Sequence, residues 1–285
     1  MCGRYVIVTK IKKIQKIFNV KTFNPELFVP NYNVSHGNMA PVITQDRPNE
    51  LHFFQFGFTP HWGKKQFYQV NARSEGDRNK EDDPHYSGRR AIFDKPMFRK
   101  SIRSKRCLVP ADCFIEGPKK EKLKKPYVVY LKEERPFTFA GIYDAWINQD
   151  SGEVVNSFAI ITTGPNKLMN EIGHHRSPVI IPEEARGDWL SSDSSDAAIS
   201  ELMTPFDAAR MNAYPIRDQI RNPHADGPEL IEPIGQRIYT EYDLEVTKSV
   251  EVQGMGRTAD KTRKQKEEEE RKNSRGDGGQ LTFFD

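Results

Sequence analysis

The second residue carries the most unusual chemistry of the chain. The sequence begins Met1-Cys2-Gly3, and an initiator methionine is removed when the next side chain is as small as a thiol. Removal of Met1 leaves an α-amine and a thiol on adjacent carbons of Cys2. The amine has a pKa near ~7.7–8.0 and the thiol near ~8.5, so both are available as nucleophiles near neutral pH. Such a pair can trap an aldehyde as an imine and then as a five-membered thiazolidine. Taken alone, a cysteine here is also compatible with chance.

Basic residues concentrate in two segments. Residues 89–106 contain eight Lys/Arg against one acid, and residues 119–125 add five lysines against one acid. The first segment interleaves its cations with Phe93, Met97 and Phe98. Cations between aromatic rings are typical of a groove that holds phosphates and stacks bases. A solvated basic face is the alternative interpretation of both segments.

Length and composition limit the class of protein. The 285 residues suffice for a sizeable core. No apolar run approaches the ~20 residues that span a bilayer, and no leader is recognisable, so we expect a soluble cytoplasmic protein. Cys2, Cys107 and Cys113 show no paired spacing, which argues against disulfides and a zinc ribbon. We expect Cys107 and Cys113 to be small buried hydrophobic residues, and we predict no metal and no cofactor. No sustained heptad is present, which favours a monomer.

The pattern of apolar residues predicts many strands and few helices. Runs rich in aromatic and β-branched residues, separated by Pro and Gly, indicate strands. The predicted strands are 51–59, 107–111, 127–132, 137–146 and 157–163. Helices are predicted over 9–18, with Thr9 as N-cap, and over 182–191 and 196–203. Strands with so few helices between them predict an α+β fold with mainly antiparallel sheets.

The composition changes near Gly254. Residues 256–285 contain eight Lys/Arg and seven Asp/Glu, with almost no apolar residue before the last five positions. Such a segment cannot bury enough surface to offset the entropy of ordering. We therefore predict one domain over 1–250, a charged disordered linker over 251–279 and a short terminal peptide over 280–285.

Eight short segments occur together in an order typical of one family. They are 1–5 (MCGRY), 31–33 (NYN), 60–62 (PHW), 71–75 (NARSE), 106–116 (RCLVPADCFIE), 139–146 (FAGIYDAW), 172–178 (IGHHRSP) and 228–234 (PELIEPI). Together they resemble the SOS-response-associated peptidase (SRAP) family, also described as abasic-site processing proteins. The resemblance implies one domain of curved, mainly antiparallel sheets with a narrow cleft at the processed N-terminus. It also implies binding to single-stranded DNA, and cross-linking of the N-terminal cysteine to the ring-opened aldehyde of an abasic site. An autoproteolytic activity accounts for the word peptidase, and lyase chemistry is related to it.

The resemblance assigns a catalytic role to four side chains. Cys2 supplies the amine and the thiol, and Asn71 orients the reacting end without competing for protons. Glu116 accepts a proton from the amine and assists the loss of water. His174 donates a proton to the departing hydroxyl or to the opening sugar. Adjacent residues of an extended segment point to opposite sides, so we expect only one of His174 and His175 in the cleft.

The resemblance also assigns DNA contacts. Arg4, Arg73 and Arg176 match positions that hold phosphates around the lesion, for which guanidinium forks are suited. Trp62 matches an aromatic residue on which a base stacks, and a core tryptophan is the alternative. The family usually has a tryptophan after its glutamate, where this chain has Gly117. This departure affects the wall of the cleft more than the chemistry.

The last six residues indicate a docking peptide. Apolar side chains in a disordered end have no core to join. The pattern resembles the peptides by which bacterial repair proteins bind the sliding clamp, and a coincidental hydrophobic terminus is the alternative. The clamp-binding residues predicted by this resemblance are Gln280, Leu281, Phe283 and Phe284. A flexible linker would then raise the local concentration of the protein at the replication fork and the nucleoid.

Two other functions account for parts of the sequence. A cysteine peptidase would use Cys2 to attack peptides with His174 as its base, but it has no use for a free α-amine. A non-catalytic module that binds single-stranded DNA would make Cys2 incidental. The set as a whole favours an enzyme of the DNA damage response that shields abasic sites.

Overall fold

Short strands rich in aromatic and β-branched residues build most of the protein. The computed structural model describes residues 3–83, 86–133 and 135–241. The strands are β1 Tyr5–Ile7, β2 Asn31–Val34, β3 Met39–Thr44, β4 Arg47–Phe56, β5 Asn71–Arg73, β6 Arg106–Ala111, β7 Cys113–Glu116, β8 Tyr127–Leu131, β9 Phe137–Ile147, β10 Val154–Thr163, β11 Ser177–Pro178, β12 Ile180–Ile181 and β13 Met211–Pro215. The α-helices are α1 Ile11–Phe18, α2 Ser101–Ser104, α3 Lys167–Glu171, α4 Arg186–Leu190 and α5 Asp196–Leu202. Short 3-10 helices lie at Pro25–Leu27, Ala91–Phe93, Lys122–Lys124, Glu183–Ala185, Ala208–Arg210, Asp218–Arg221 and Pro228–Ile231.

Five strands close into a barrel. Antiparallel pairing joins β4 to β3, β3 to β6, β6 to β9 and β9 to β10, and parallel pairing of β10 with β4 completes the ring. Further along β10, β5 takes the place of β4 as the parallel neighbour. Aromatic side chains of these strands form the core, among them Phe56, Phe139 and Phe158, none of which is exposed. Burial of each such ring contributes about 2–3 kcal/mol.

A second sheet carries the start of the chain. Its order is β13-β8-β7-β1-β2, with every pair antiparallel. The chain passes from the barrel strand β6 to β7 through Asp112. The carboxylate of Asp112 accepts hydrogen bonds from the Val8 amide at 2.6 Å, the Thr9 amide at 2.8 Å and the Thr9 hydroxyl at 2.5 Å. These bonds join the segment after β1 to the corner between the two sheets.

The fold expected from the sequence is confirmed in its class and in most elements. The α+β class, the mainly antiparallel sheets and every predicted strand are present, with bounds shifted by a few residues. The prediction of Thr9 as a helix N-cap is wrong, because its hydroxyl binds Asp112 and α1 begins two residues later without a side-chain cap. Cys107 and Cys113 are buried as expected, and desolvation raises the pKa of both thiols, that of Cys113 to about 12.

The described residues up to Tyr239 belong to one compact unit of the chain. The predicted linker 251–279 and terminal peptide 280–285 lie outside the described residues. Within the described ranges, no helix has the length and apolarity needed to cross a membrane.

Candidate active site

The pairing of β1 with β7 brings the start of the chain to Glu116. Tyr5 lies opposite Phe114, and the Ile115 amide donates to the Arg4 carbonyl at 3.0 Å. Continuing this antiparallel register places Gly3 level with Glu116. Glu116 is therefore a residue of β7 that lies beside the start of β1. Cys2 itself lies outside the described residues.

Glu116 and His174 form a buried pair. Oε2 of Glu116 lies 3.4 Å from Nε2 of His174, and each residue is only 5% exposed. Nδ1 of His174 lies 2.7 Å from the carbonyl oxygen of Gly117. Because a carbonyl only accepts, Nδ1 carries a proton, and in the neutral ring Nε2 is then an acceptor directed at the carboxyl.

Burial decides the charge of this pair. Desolvation raises the pKa of Glu116 and lowers the pKa of His174 to about 4. The surrounding medium of low dielectric constant disfavours the carboxylate and the imidazolium alike. The imidazole is therefore neutral near pH 7, and the raised pKa makes the Glu116 carboxyl a better proton donor than an ordinary glutamate. The two groups titrate as a unit, and the unit can donate a proton to a reacting atom and take it back.

A turn after α3 places both histidines together. Gly173 has a φ of +78°, and the His174 amide donates back to the Met169 carbonyl at 2.8 Å. The rings of His174 and His175 lie 4.9 Å apart. The expectation that they point to opposite sides is wrong, because this turn replaces an extended segment. Burial, followed by the neighbouring His174, lowers the pKa of His175 to about 4.

Position 117 requires glycine, because the backbone of the following loop packs directly against it. A Cβ at this position would lie 1.9 Å from the Lys122 carbonyl oxygen and 2.7 Å from that of Lys125. A tryptophan therefore cannot stand here, and the backbone of the 119–125 loop forms this wall of the site. The sequence reasoning missed the Gly117 carbonyl as the partner of His174. The sequence feature that could have indicated it is Gly117-Pro118 directly after Glu116, because this pair ends the strand and marks a turn.

The predicted residues Asn71 and Trp62 occupy contrasting environments. Asn71 begins β5 opposite Ile160, and it is 2% exposed. Trp62 is 51% exposed on the loop between β4 and β5, which excludes the alternative of a core tryptophan. Phe67 and Tyr68 of the same loop are each 41% exposed, and the Phe67 ring meets that of Trp62 edge-on at 6.4 Å. Trp62 and Phe67 are thus neighbouring exposed rings of a kind suited to base stacking.

The three predicted phosphate-binding arginines all make contacts within the protein. Arg176 is 1% exposed, and its fork meets the Glu75 carboxylate at 2.7 and 3.3 Å. Arg73 donates to Asp82 at 2.7 Å. Arg4 is partly buried, with Nη1 3.2 Å from the Gly3 carbonyl, and desolvation lowers its pKa. Contact of these arginines with DNA phosphates stays a prediction.

Part of the basic segment 89–106 has a structural role, while Arg89, Arg99, Lys100 and Arg103 are exposed. Its Phe93 and Phe98 are buried, so the expected stacking of bases on them is wrong. Arg106 is fully buried, and it donates to the main-chain carbonyls of Ile102, Arg103, Trp189 and Ser191. The five lysines of residues 119–125 are all exposed. The Lys119 amide donates to the Gly173 carbonyl at 2.9 Å, which attaches this loop to the turn before His174.

No metal-binding group is evident in the described ranges. No set of three His, Cys, Asp or Glu side chains among those residues is arranged to hold a metal ion. Of the tandem histidines, His174 uses both ring nitrogens, one towards the Glu116 carboxyl and one towards the Gly117 carbonyl. The chemistry of this donor set is that of proton transfer.

Comparison of the sequence with known proteins shows which family the chain belongs to. Residues 1–223 match the family described as SOS response associated peptidase (SRAP). The chain belongs to this family. It is 35% identical over 239 residues to the abasic site processing protein YoqW of Bacillus subtilis, covering 81% of this chain and 99% of that protein.

Other matches agree with this assignment. The abasic site processing protein HMCES of Xenopus tropicalis is 24% identical over 253 residues, covering 76% of this chain and 70% of that protein. A crystal structure of a protein from Bacteroides thetaiotaomicron superposes with a TM-score of 0.70 at 30% identity, covering 82% of this chain and all of that one. The resemblance drawn from the sequence is thus confirmed at the level of family and fold.

Proposed function

We propose that this protein captures the ring-opened aldehyde of an abasic site in single-stranded DNA as a thiazolidine on Cys2. The observation that carries the proposal is the buried Glu116–His174 pair beside the start of β1, in which Oε2 and Nε2 lie 3.4 Å apart and burial raises the pKa of the carboxyl. Cys2 is one peptide bond from Gly3, which the register places level with Glu116. The name of the relatives, abasic site processing proteins, supports the same substrate.

In the proposed reaction, Glu116 donates a proton in one step and takes one back in a later step. The Cys2 amine attacks the aldehyde carbon, and transfer of the amine proton to oxygen gives a carbinolamine. The Glu116 carboxyl protonates the hydroxyl, which leaves as water, and an iminium and a carboxylate remain. The thiol then attacks the iminium carbon while its proton returns to the carboxylate. The neutral thiazolidine and the neutral acid are restored, and the iminium is diverted from β-elimination and strand cleavage.

The structure favours Glu116 over His174 as the proton donor. A histidine with a pKa of about 4 is almost entirely unprotonated near pH 7 and has no proton to give from Nε2. Its proposed task is to accept from the carboxyl through Nε2, with the Gly117 carbonyl holding the tautomer. Asn71 orients the sugar or the nucleophile, and Trp62 stacks a neighbouring base. Autoproteolytic release of Met1 and lyase cleavage belong to the same proposal as minor reactions of the site.

A denaturing gel and intact mass spectrometry test the proposal. The mature protein must lack Met1 and must form, with an abasic oligonucleotide, an adduct whose mass is the sum of both less one water. The adduct must persist without borohydride, because a thiazolidine does not need reduction whereas an imine does. Adduct formation should not occur with an undamaged oligonucleotide of the same sequence. Retention of Met1 in the active protein would refute the proposal.

Two variants separate the steps. Cys2→Ala keeps an α-amine but loses the thiol, so we expect a borohydride-dependent adduct and residual strand cleavage. An equally stable adduct without borohydride would contradict thiazolidine closure. Glu116→Gln keeps the shape and removes the proton, and we expect the rate of adduct formation to fall about 100-fold. Turnover of peptide substrates by the wild type would instead favour a cysteine peptidase.

We propose in addition that residues 280–285 dock on a sliding clamp and bring a monomeric protein to the cytoplasmic replication fork. The support is the pattern Gln280, Leu281, Phe283 and Phe284 at the end of a charged segment. Size-exclusion chromatography with purified clamp tests it, with a chain lacking residues 280–285 as the control. Equal co-elution of both chains would contradict this role.

A further inference from the structure

One carboxylate lies among three cations beside the site. Oδ1 of Asp82 is 2.7 Å from Nη2 of Arg73 and 3.5 Å from Nη1 of Arg176, and Oδ2 is 3.6 Å from Nζ of Lys119. Asp82 is only 8% exposed. The cations come from distant parts of the chain, namely β5, the residue before β11 and the loop after β7. Their convergence on one small anion is therefore a product of the tertiary fold.

The charges of this cluster do not balance. Besides the three cations at Asp82, Nη1 of Arg90 lies 3.7 Å from Glu75, which also pairs with Arg176. Four cations thus face the two carboxylates of Asp82 and Glu75 among the described residues. Two of these cations, Arg176 and Arg90, are largely desolvated, with side chains 1% and 11% exposed, and a desolvated cation is costly unless an anion accompanies it. The cluster therefore has capacity for a further negative charge.

The hydrogen-bond donors of the arginines are also incompletely used. Nε of Arg73 and Nε of Arg176 are buried, and neither has an acceptor among the residues that the structure describes. A carboxylate offers two acceptor oxygens, whereas a phosphate offers more oxygens in a tetrahedral arrangement that suits guanidinium forks. The unmatched donors and the surplus charge both indicate a phosphate group.

Asp82 is held in the cluster at some cost to its backbone. Its φ is +58°, in the left-handed region, which costs a residue other than glycine roughly 1 kcal/mol. The turn is maintained by Asn79, whose side chain accepts from the Asp83 amide at 2.8 Å and donates to the Asp83 carbonyl at 2.9 Å. The electrostatic attraction of the cations offsets this strain. The carboxylate is thus a short, displaceable ligand on a strained turn.

Phosphate contacts of Arg73 and Arg176 are already expected from the family resemblance; we propose that Lys119 joins these arginines at one phosphate position, and that the Asp82 carboxylate occupies this position when DNA is absent. The inference rests on the proposed function, which supplies the DNA. A backbone phosphate displaces the Asp82 carboxylate and takes over its contacts. Asp82 therefore weakens non-covalent binding of DNA and acts as an internal competitor.

The test compares Asp82→Asn with Asp77→Asn. Asparagine keeps the shape and tolerates the left-handed region, so the turn is retained. Asp77 lies on the same loop, is 78% exposed and pairs with Lys95 at 2.7 Å, so its substitution makes the same charge change outside the cluster. The probe is a fluorescent, undamaged single-stranded oligonucleotide, followed by anisotropy between about 0.05 and 0.5 M salt.

One additional phosphate contact makes the slope of log affinity against log salt concentration more negative by about 0.7 for a single strand. Over a tenfold change in salt, this corresponds to about a fivefold change in affinity. We expect D82N to bind about fivefold more tightly than D77N near 0.1 M salt, with a slope steeper by that amount. Equal affinity and slope for the two variants would overturn the inference. Melting temperatures check that both variants are folded.

A second pair of variants keeps the test decisive if D82N does not fold. Lys119→Gln removes a ligand of the proposed phosphate, and Lys120→Gln removes an exposed neighbouring lysine. We expect K119Q to bind the oligonucleotide about fivefold more weakly than K120Q, and equal binding would overturn the site. Covalent capture is scored separately with the abasic oligonucleotide. Loss of the D82N effect with an intact adduct defeats only this inference, and an absent adduct with the effect retained defeats only the proposed function.

Discussion

Replacing His174 by glutamine should remove a defined part of the pH dependence of stability. The imidazole is 5% exposed, and desolvation lowers its pKa from 6.5 to about 4. Between these two values the unfolded chain binds the proton and the folded protein does not. The free energy of unfolding therefore falls as the pH drops from 6.5 to 4, and the contribution of this group is fully retained above 6.5.

The size of the effect follows from the same values. A fall in pKa from 6.5 to about 4, at 1.36 kcal/mol per pH unit, corresponds to about 3 kcal/mol. Glutamine does not titrate, and its amide can still donate to the Gly117 carbonyl. Glu116 has a raised pKa and contributes in the opposite sense, since its stabilising proton is lost as the pH rises. Because Glu116 and His174 titrate together, the same substitution is also made in a Glu116→Gln background, where the histidine titrates without this partner.

Urea unfolding at pH 7 and pH 4 measures this difference. We expect the wild type to lose about 3 kcal/mol more than His174→Gln over that interval, and we expect the same in a Glu116→Gln background. Exposed His224 provides the matched control, and His224→Gln should follow the wild type. An unfolding free energy that depends on pH equally in wild type and His174→Gln would refute the electrostatic account of the site.

Three further predictions concern the scaffold and the DNA surface. Gly117→Ala forces a Cβ to within 1.9 Å of the Lys122 carbonyl oxygen and should cost about 2–4 kcal/mol in urea unfolding, whereas Gly187→Ala, in α4 with open space around its Cβ, should be neutral or stabilising. Arg106→Met leaves four main-chain carbonyls, two of them buried, without their donor and should cost about 3–5 kcal/mol in the same assay; a loss below about 1 kcal/mol would contradict the role of this buried cation. Trp62→Ala should weaken single-strand binding by about 1–3 kcal/mol in anisotropy titrations, while Phe23→Ala, at a 76% exposed ring, serves as its control, and equal affinities would exclude stacking on Trp62.

Much of the candidate site was predictable residue by residue, but its electrostatics were not. The residue types of Glu116, His174 and Asn71 suggested proton transfer and orientation as soon as the family motifs were recognised. The sequence reasoning treated His174 as a group that titrates near neutrality. Burial of its ring beside the Glu116 carboxyl reverses that expectation, because it lowers the pKa of His174 to about 4 and raises the pKa of Glu116. Desolvation depends on what surrounds a group in space, and no local pattern encodes it.

The linear chain was sufficient for the family, the α+β class and most strand positions. Those features depend on residue type, on short-range periodicity and on the order of motifs, all of which are properties of neighbours along the chain. Only the tertiary structure decided that Arg106 is buried with its guanidinium bonded to main-chain carbonyls, and that Phe93 and Phe98 belong to the core. The same holds for the contacts of Asp82 with Arg73, Arg176 and Lys119. These contacts join residues far apart in sequence, because strand pairing and barrel closure determine which side chains share a dielectric environment.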